Sequence, residues 1–379
     1  MGVVAVKRLV VCADGTWKSR DDSSDATNVE RLCDAVLPVA SDGTRQVTRY
    51  FQGVGTGRLE RLRGGAFGVG LSRNVQECYR FLVQEWQPGD EVHLFGFSRG
   101  AFTVRSLAGM VRNVGLLPPE RASAIEQAYE HYRDDAPEWR PDGERAVAFR
   151  ATRSREVDAI RCIGVWDTVG ALGVPTSGPL GWWTRRRWGF HDVQLSGFVQ
   201  HAYHALAVDE RRRAFAPALW QADDAHASRQ RGEQVWFAGA HSDVGGRAGC
   251  GLSDTTLCWM AGKAREAGLE LDQPRIRETT DDDACDGDLQ DSYRAIYRLQ
   301  RPLVREIGAP PVVVDGRTLR THESVHPSAV ARHRRLTSPP RGPYAPANLV
   351  AHLARTTPTQ RGASAHEQSP AQSRAESLG

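Results

Sequence analysis

A serine, an aspartate and a histidine each follow a short apolar run, and together they could form an activated nucleophile. The serine sits in Gly96-Phe97-Ser98-Arg99-Gly100, which has the spacing G-x-S-x-G. A serine hydroxyl attacks poorly until a histidine takes its proton, and a carboxylate must orient that histidine. Asp167, in Trp166-Asp167-Thr168-Val169-Gly170, is the natural acid for this task. His241, in Ala240-His241-Ser242-Asp243-Val244-Gly245-Gly246, is the natural base. Its main rival is His326, in His322-Glu323-Ser324-Val325-His326-Pro327, because it too follows the serine and the aspartate in the chain. His201 and His204, in a stretch that reads as helix, are weaker candidates. The developing oxyanion would need donors. The Arg99 N–H supplies one, and Gly15 or Thr16, after the first strand, a second. Asp14 in the same loop is read as a holder of that loop.

Four elements must position these groups. Apolar runs at 8–13, 91–95, 159–166 and 234–240 suit strands covered on both faces, as in a parallel sheet. Helical patterns lie between some of them, at 74–87 and 101–113. The alternation predicts an α/β fold: a doubly wound, mostly parallel sheet of the α/β-hydrolase type with helical insertions. Ligands of such sheets bind beyond the carboxyl ends of the strands. Asp14, Ser98, Asp167 and His241 all stand at that end. The strand–turn–helix context around Ser98 is what a nucleophile elbow requires, and the order serine, acid, histidine is that of α/β-hydrolases.

The same residues also suit other chemistries. Asp14, Asp167, His241 and Asp243 could instead bind a divalent ion in a metal-dependent phosphoesterase. A non-enzymatic binding module on the same fold is the third reading. The glycine-rich stretches 53–57 and 64–70 lack a preceding strand or a Gly-Lys-Ser/Thr element, so they read as a loop beside the cleft rather than a phosphate cradle. Trp182, Trp183, Arg185, Arg186, Arg187 and Trp188 combine aromatics with consecutive arginines. They suit an interfacial loop that meets an anionic membrane surface, or equally a lid packed on the body.

Composition narrows the setting. A net charge of +3 over 379 residues gives no case for a nucleic-acid partner. Seven dispersed cysteines without C-x-x-C pairs argue against a disulfide framework and a zinc site. The N-terminus lacks a signal peptide's apolar core, and no run reaches the roughly 18 apolar residues of a transmembrane helix. A soluble, cytoplasmic protein without a cofactor is expected, with leaderless export compatible. Residues 1–337 are expected to form the catalytic domain, with helical or lid insertions near 115–158 and 174–230. The Pro-, Ser- and Arg-rich remainder, 338–379, is expected to be disordered, with a short helical piece near 348–355.

At these motifs the chain resembles the type VI secretion phospholipase-effector-like catalytic domains. The resemblance runs from about Lys7 to Leu269. It includes Asp14-Gly15-Thr16-Trp17, Gly53-Val54-Gly55-Thr56-Gly57 and Gly96-Phe97-Ser98-Arg99-Gly100-Ala101. It continues through Trp166-Asp167-Thr168-Val169-Gly170, the stretch 204–210 and the stretch 236–246. It implies an α/β-hydrolase acting on phospholipid esters, with Ser98, Asp167 and His241 as its triad. The large extra region expected of a membrane-disrupting effector is not seen beside this domain, so the resemblance bears on ester hydrolysis more than on an antibacterial role.

Overall fold

In a computed structural model, residues 6–15, 26–53, 64–169, 195–223, 230–246, 250–280, 287–294, 297–298, 300–314, 316–335 and 343–356 are described. Among the described residues ten strands run in chain order: β1 (Lys7–Ala13), β2 (Arg45–Phe51), β3 (Glu91–Phe97), β4 (Ile160–Trp166), β5 (Val199–Ala207), β6 (Ala222–Asp223), β7 (Arg231–Phe237), β8 (Val312–Val314), β9 (Arg317–Arg320) and β10 (Glu323–Val325). The α-helices are α1 (Asn28–Ala35), α2 (Gly64–Glu85), α3 (Arg99–Val114), α4 (Ile125–Tyr132), α5 (Glu144–Arg153), α6 (His241–Gly245), α7 (Gly251–Glu266), α8 (Pro327–Arg335) and α9 (Ala347–Thr356). Seven strands form one sheet in the order β10-β7-β5-β4-β3-β1-β2. Every pairing in it is parallel. β6, β9 and β8 make a small antiparallel sheet.

The period-two geometry of a strand sends alternate residues to opposite faces, and both faces are covered here. Leu9, Val11, Val92, Leu94, Ile163 and Val165 join a core with Tyr79 and Leu82 of α2 and Val104, Leu107 and Met110 of α3. Their neighbours Val10, Cys12, Phe95, Cys162 and Trp166 face the other way, onto Val29 and Leu32 of α1 and Leu257, Met260 and Ala264 of α7. This two-sided burial is why these runs are continuously apolar. The chain runs from β1 to the edge at β2 and then crosses back to β3 on the far side of β1. The carboxyl ends of β1 and β3 therefore flank a switch point, where such sheets open a crevice.

Three expectations change. The stretch holding His201 and His204 is not helical but is β5, a central strand inside the region read as an insertion at 174–230. Its histidines and small residues hide the apolar pattern; the sheet buries His204 and the alanines, while His201 stays partly exposed. β2 and β10 also escape a reading based on apolar runs, since edge strands carry polar residues such as Arg45, Arg49 and Glu323. Finally, packing extends past 338. Tyr344 and Leu349 are buried in a third core with Leu206, Trp236, Leu252, Ile307 and Ala329. α9, within the stretch expected to be disordered, is thus held against the body.

Candidate active site

β3 ends one residue before Ser98 and α3 begins one residue after it. Ser98 turns that corner at φ 57° and ψ −116°, a backbone region costly for a residue with a Cβ. Such strain persists only where surroundings over-determine it. Here Ser98 N donates to Trp166 O at 3.0 Å, and its own carbonyl accepts from Phe102 N at 3.2 Å. The flanking glycines make the corner possible. A Cβ on Gly100 would lie 2.0 Å from Ala13 O, and one on Gly96 would lie 2.5 Å from Gly100 O.

Asp167 follows β4 at φ 39°, tied by its N–H to Ala205 O at 2.7 Å. His241 opens α6, four residues beyond the end of β7. The sheet brings the three side chains into one relay. His241 Nε2 lies 2.9 Å from Ser98 Oγ, and His241 Nδ1 lies 2.6 Å from Asp167 Oδ2. All three are buried. Phe97 and Phe215 flank the imidazole at centroid distances of 4.6 and 4.8 Å. With Nδ1–H held by the carboxylate, Nε2 is left to accept the serine proton, a tautomer assigned from these partners.

Burial alone would raise the Asp167 pKa, but the Arg305 guanidinium and His241 outweigh it and hold the carboxyl well below the usual range. Arg305 is fully buried and binds both carboxylate oxygens, Nη1 to Oδ1 at 2.6 Å and Nη2 to Oδ2 at 3.0 Å. Glu210, just past β5, accepts His241 N at 3.3 Å and Arg212 Nη2 at 2.8 Å. Burial pushes Glu210 up, and Arg212 brings it back below its ordinary value. His204 lies beneath the acid: its Nε2 accepts Thr168 N at 3.1 Å and its Nδ1 meets Gln234 Oε1 at 3.1 Å.

The other expected residues are placed as follows. His326 is not brought to Ser98; its Nδ1 pairs with Ser328 Oγ at 2.7 Å and its ring stacks on Phe237 at 4.5 Å. Arg99 opens α3, and a helix's first N–H groups point out of its N-terminal end. Gly15 packs against Ser98, yet its N–H donates to Asp14 Oδ1 at 2.7 Å, so that donor is already engaged. Thr16 and the aromatic–arginine stretch Trp182, Trp183, Arg185, Arg186, Arg187 and Trp188 lie outside the described residues. Asp14 holds its loop, accepting from Gly15, Thr27 Oγ1 and Tyr50 OH. Asp243 Oδ2 accepts the backbone N–H groups of Ala240 and Gln290, both at 3.0 Å. Asp14, Asp167, His241 and Asp243 therefore do not form a donor cluster. Among the described residues no three His, Cys, Asp or Glu side chains could hold an ion together.

Residues 7–263 match the type VI secretion phospholipase effector Tle1-like catalytic domain. The chain belongs to this family. The match ends six residues before the expected limit at Leu269, and Arg305 lies well beyond it. An uncharacterized protein of Saccharomyces cerevisiae is 30% identical over 230 residues, which are 55% of this chain and 32% of that protein. The chain thus spans about a third of the length of that curated relative. Among solved structures, an uncharacterized protein from Pseudomonas aeruginosa is 18% identical, covering 74% of this chain and 49% of that one, with a TM-score of 0.46. A thermophilic esterase from Thermogutta terrifontis with butyrate bound is 15% identical, covering 70% and 85%, with a TM-score of 0.36.

Two contributors escaped the sequence reading. Arg305 sits in Pro302-Leu303-Val304-Arg305-Glu306-Ile307, one arginine in a chain with 49 basic residues and no motif around it. Glu210 had a signal, since a charged run beginning at Asp209 directly follows β5.

Proposed function

We propose that the chain is a serine ester hydrolase acting on lipid esters, with Ser98 as nucleophile, His241 as general base and Asp167 as the group that orients it. The observation that carries this reading is the continuous relay from Ser98 Oγ through the imidazole to the Asp167 carboxylate. That geometry supports the following steps. Ser98 gives its proton to His241 Nε2 as Oγ attacks the ester carbonyl carbon. The negative charge moves to the carbonyl oxygen, and the Arg99 N–H at the start of α3 is the proposed donor to it. The ester C–O bond then breaks, and His241 returns the proton to the departing alcohol. Water, deprotonated by the same histidine, then attacks the acyl carbon; the bond to Ser98 Oγ breaks, His241 returns the proton to that oxygen, and the acid leaves.

A phospholipid is the favoured ester because the family is one of phospholipase effector domains. The test is fatty-acid release from mixed phosphatidylglycerol and phosphatidylethanolamine vesicles, with and without a chelator. The reading expects release that persists in chelator and falls by a factor of roughly 10⁴ or more in Ser98→Ala. Release abolished by the chelator but retained in Ser98→Ala would contradict it.

A further inference from the structure

Asp167 carries more partners than orienting a histidine needs. Oδ2 meets His241 Nδ1 and Arg305 Nη2, while Oδ1 accepts Arg305 Nη1 and, at 3.1 Å, the Ala207 N–H. Arg305 is itself anchored: Nη1 donates to Ala207 O at 2.8 Å and Nη2 to Phe215 O at 2.5 Å. Phe215 is the ring set edge-on to His241, so one guanidinium fixes the carboxylate, the end of β5 and one wall of the imidazole slot. A planar fork bonded this way allows the carboxylate a single orientation, which a point charge would not impose.

The charges add a second effect. Asp167 and Glu210 face His241 from the ends of β4 and β5, and Arg305 and Arg212 pair with them. Asp243 lies on the histidine's own helix, with its Oδ2 engaged by backbone N–H groups, and the buried His204 lies on the far side of Thr168. Two carboxylates are therefore balanced by two guanidiniums. Without Arg305 the imidazole would face uncompensated negative charge, which favours its protonated form and withdraws the base as pH falls.

We propose that Arg305, from the segment beyond the family-matched span, is a positioning residue of the triad that fixes Asp167 and sets the lower pH limit of His241 as base. This rests on the hydrolase reading above and deepens it. The experiment is the rate of covalent labelling by a fluorophosphonate against pH, for wild type, Ser98→Ala, Arg305→Gln and Arg305→Lys, with the fold of each checked by circular dichroism. Because labelling needs only the activated serine, the identity of the natural ester does not enter.

Arg305→Gln removes the charge, and its acid limb should move to higher pH by about one to three units, the shift a charge within a few ångströms typically produces. Arg305→Lys keeps the charge but not the fork. Its acid limb should stay in place while its plateau rate falls roughly ten- to hundred-fold. An acid limb in Arg305→Gln that coincides with wild type overturns the proposal. Should that variant not fold, Arg305→Lys decides: a moved acid limb or an undiminished plateau overturns it. Wild type that takes no label, or labels equally in Ser98→Ala, would instead sink the hydrolase reading itself.

Discussion

At the scale of single residues, the site is a set of buried polar groups that satisfy one another. Burial works against every charge in it, so the site holds only because each has a partner. His204 shows the consequence. Burial, and then the nearby Arg105 charge, hold its pKa down to about 3, against 6.5 for the free side chain. The folded pKa lies below the unfolded one, so the unfolded chain binds the proton first. Stability is then lost as pH drops from about 6.5 toward 3, by up to ~1.4 kcal/mol per pH unit. Urea midpoints between pH 7.5 and pH 4.5, taken on wild type and His204→Gln, check this. The variant should start less stable and fall less steeply, and parallel curves would contradict the assignment.

Legibility at this scale followed motif density. Ser98, Asp167 and His241 stand at strand ends among small residues, where a side chain has little else to do. Asp14 was legible too, as the holder of its loop. Arg305 was not, because a lone arginine reads as surface until the fold closes over it. The choice between His241 and His326 turns on which strand end lies nearer β4: β7 stands two strands away, just beyond β5, and β10 three.

At the scale of elements, the β3–Ser98–α3 corner depends on backbone closeness rather than on side-chain packing. A Cβ at Gly100 meets the Ala13 carbonyl, which is main chain and cannot turn aside. Gly100→Ala should therefore lose at least the ~1–3 kcal/mol typical of overpacking, along with the geometry of the corner. Gly262 is the control. It lies within α7, and a Cβ there meets nothing within 4 Å. Gly262→Ala should gain about 0.5–1 kcal/mol, because it removes unfolded-chain freedom and raises helix propensity. Thermal or urea unfolding of the pair checks both signs, and a Gly100→Ala protein as stable as wild type would refute the close-approach account. The same physics explains which elements were readable. Strands covered on both faces announce themselves as apolar runs, whereas β5, rich in histidine and alanine, and the polar edges β2 and β10 do not.

At the scale of the whole molecule, the relay is assembled from distant parts of the chain. Ser98 comes from β3, Asp167 from β4, His241 from beyond β7, and the guanidinium behind them from residue 305. The parallel sheet sets all these strand ends side by side, and the third core, with Tyr344 and Leu349, packs the C-terminal segments against β7 and the end of β5. Among the described residues no helix is long and apolar enough to cross a membrane. On the proposed reading, the activation of Ser98 belongs to the folded assembly and not to the G-x-S-x-G segment alone. Intact-mass analysis after fluorophosphonate treatment tests this most directly, on native wild type, urea-unfolded wild type and native Ser98→Ala. The account predicts one adduct per chain on the native wild-type protein and none on the other two. A folded wild-type protein without an adduct, or an adduct that survives Ser98→Ala, would contradict it.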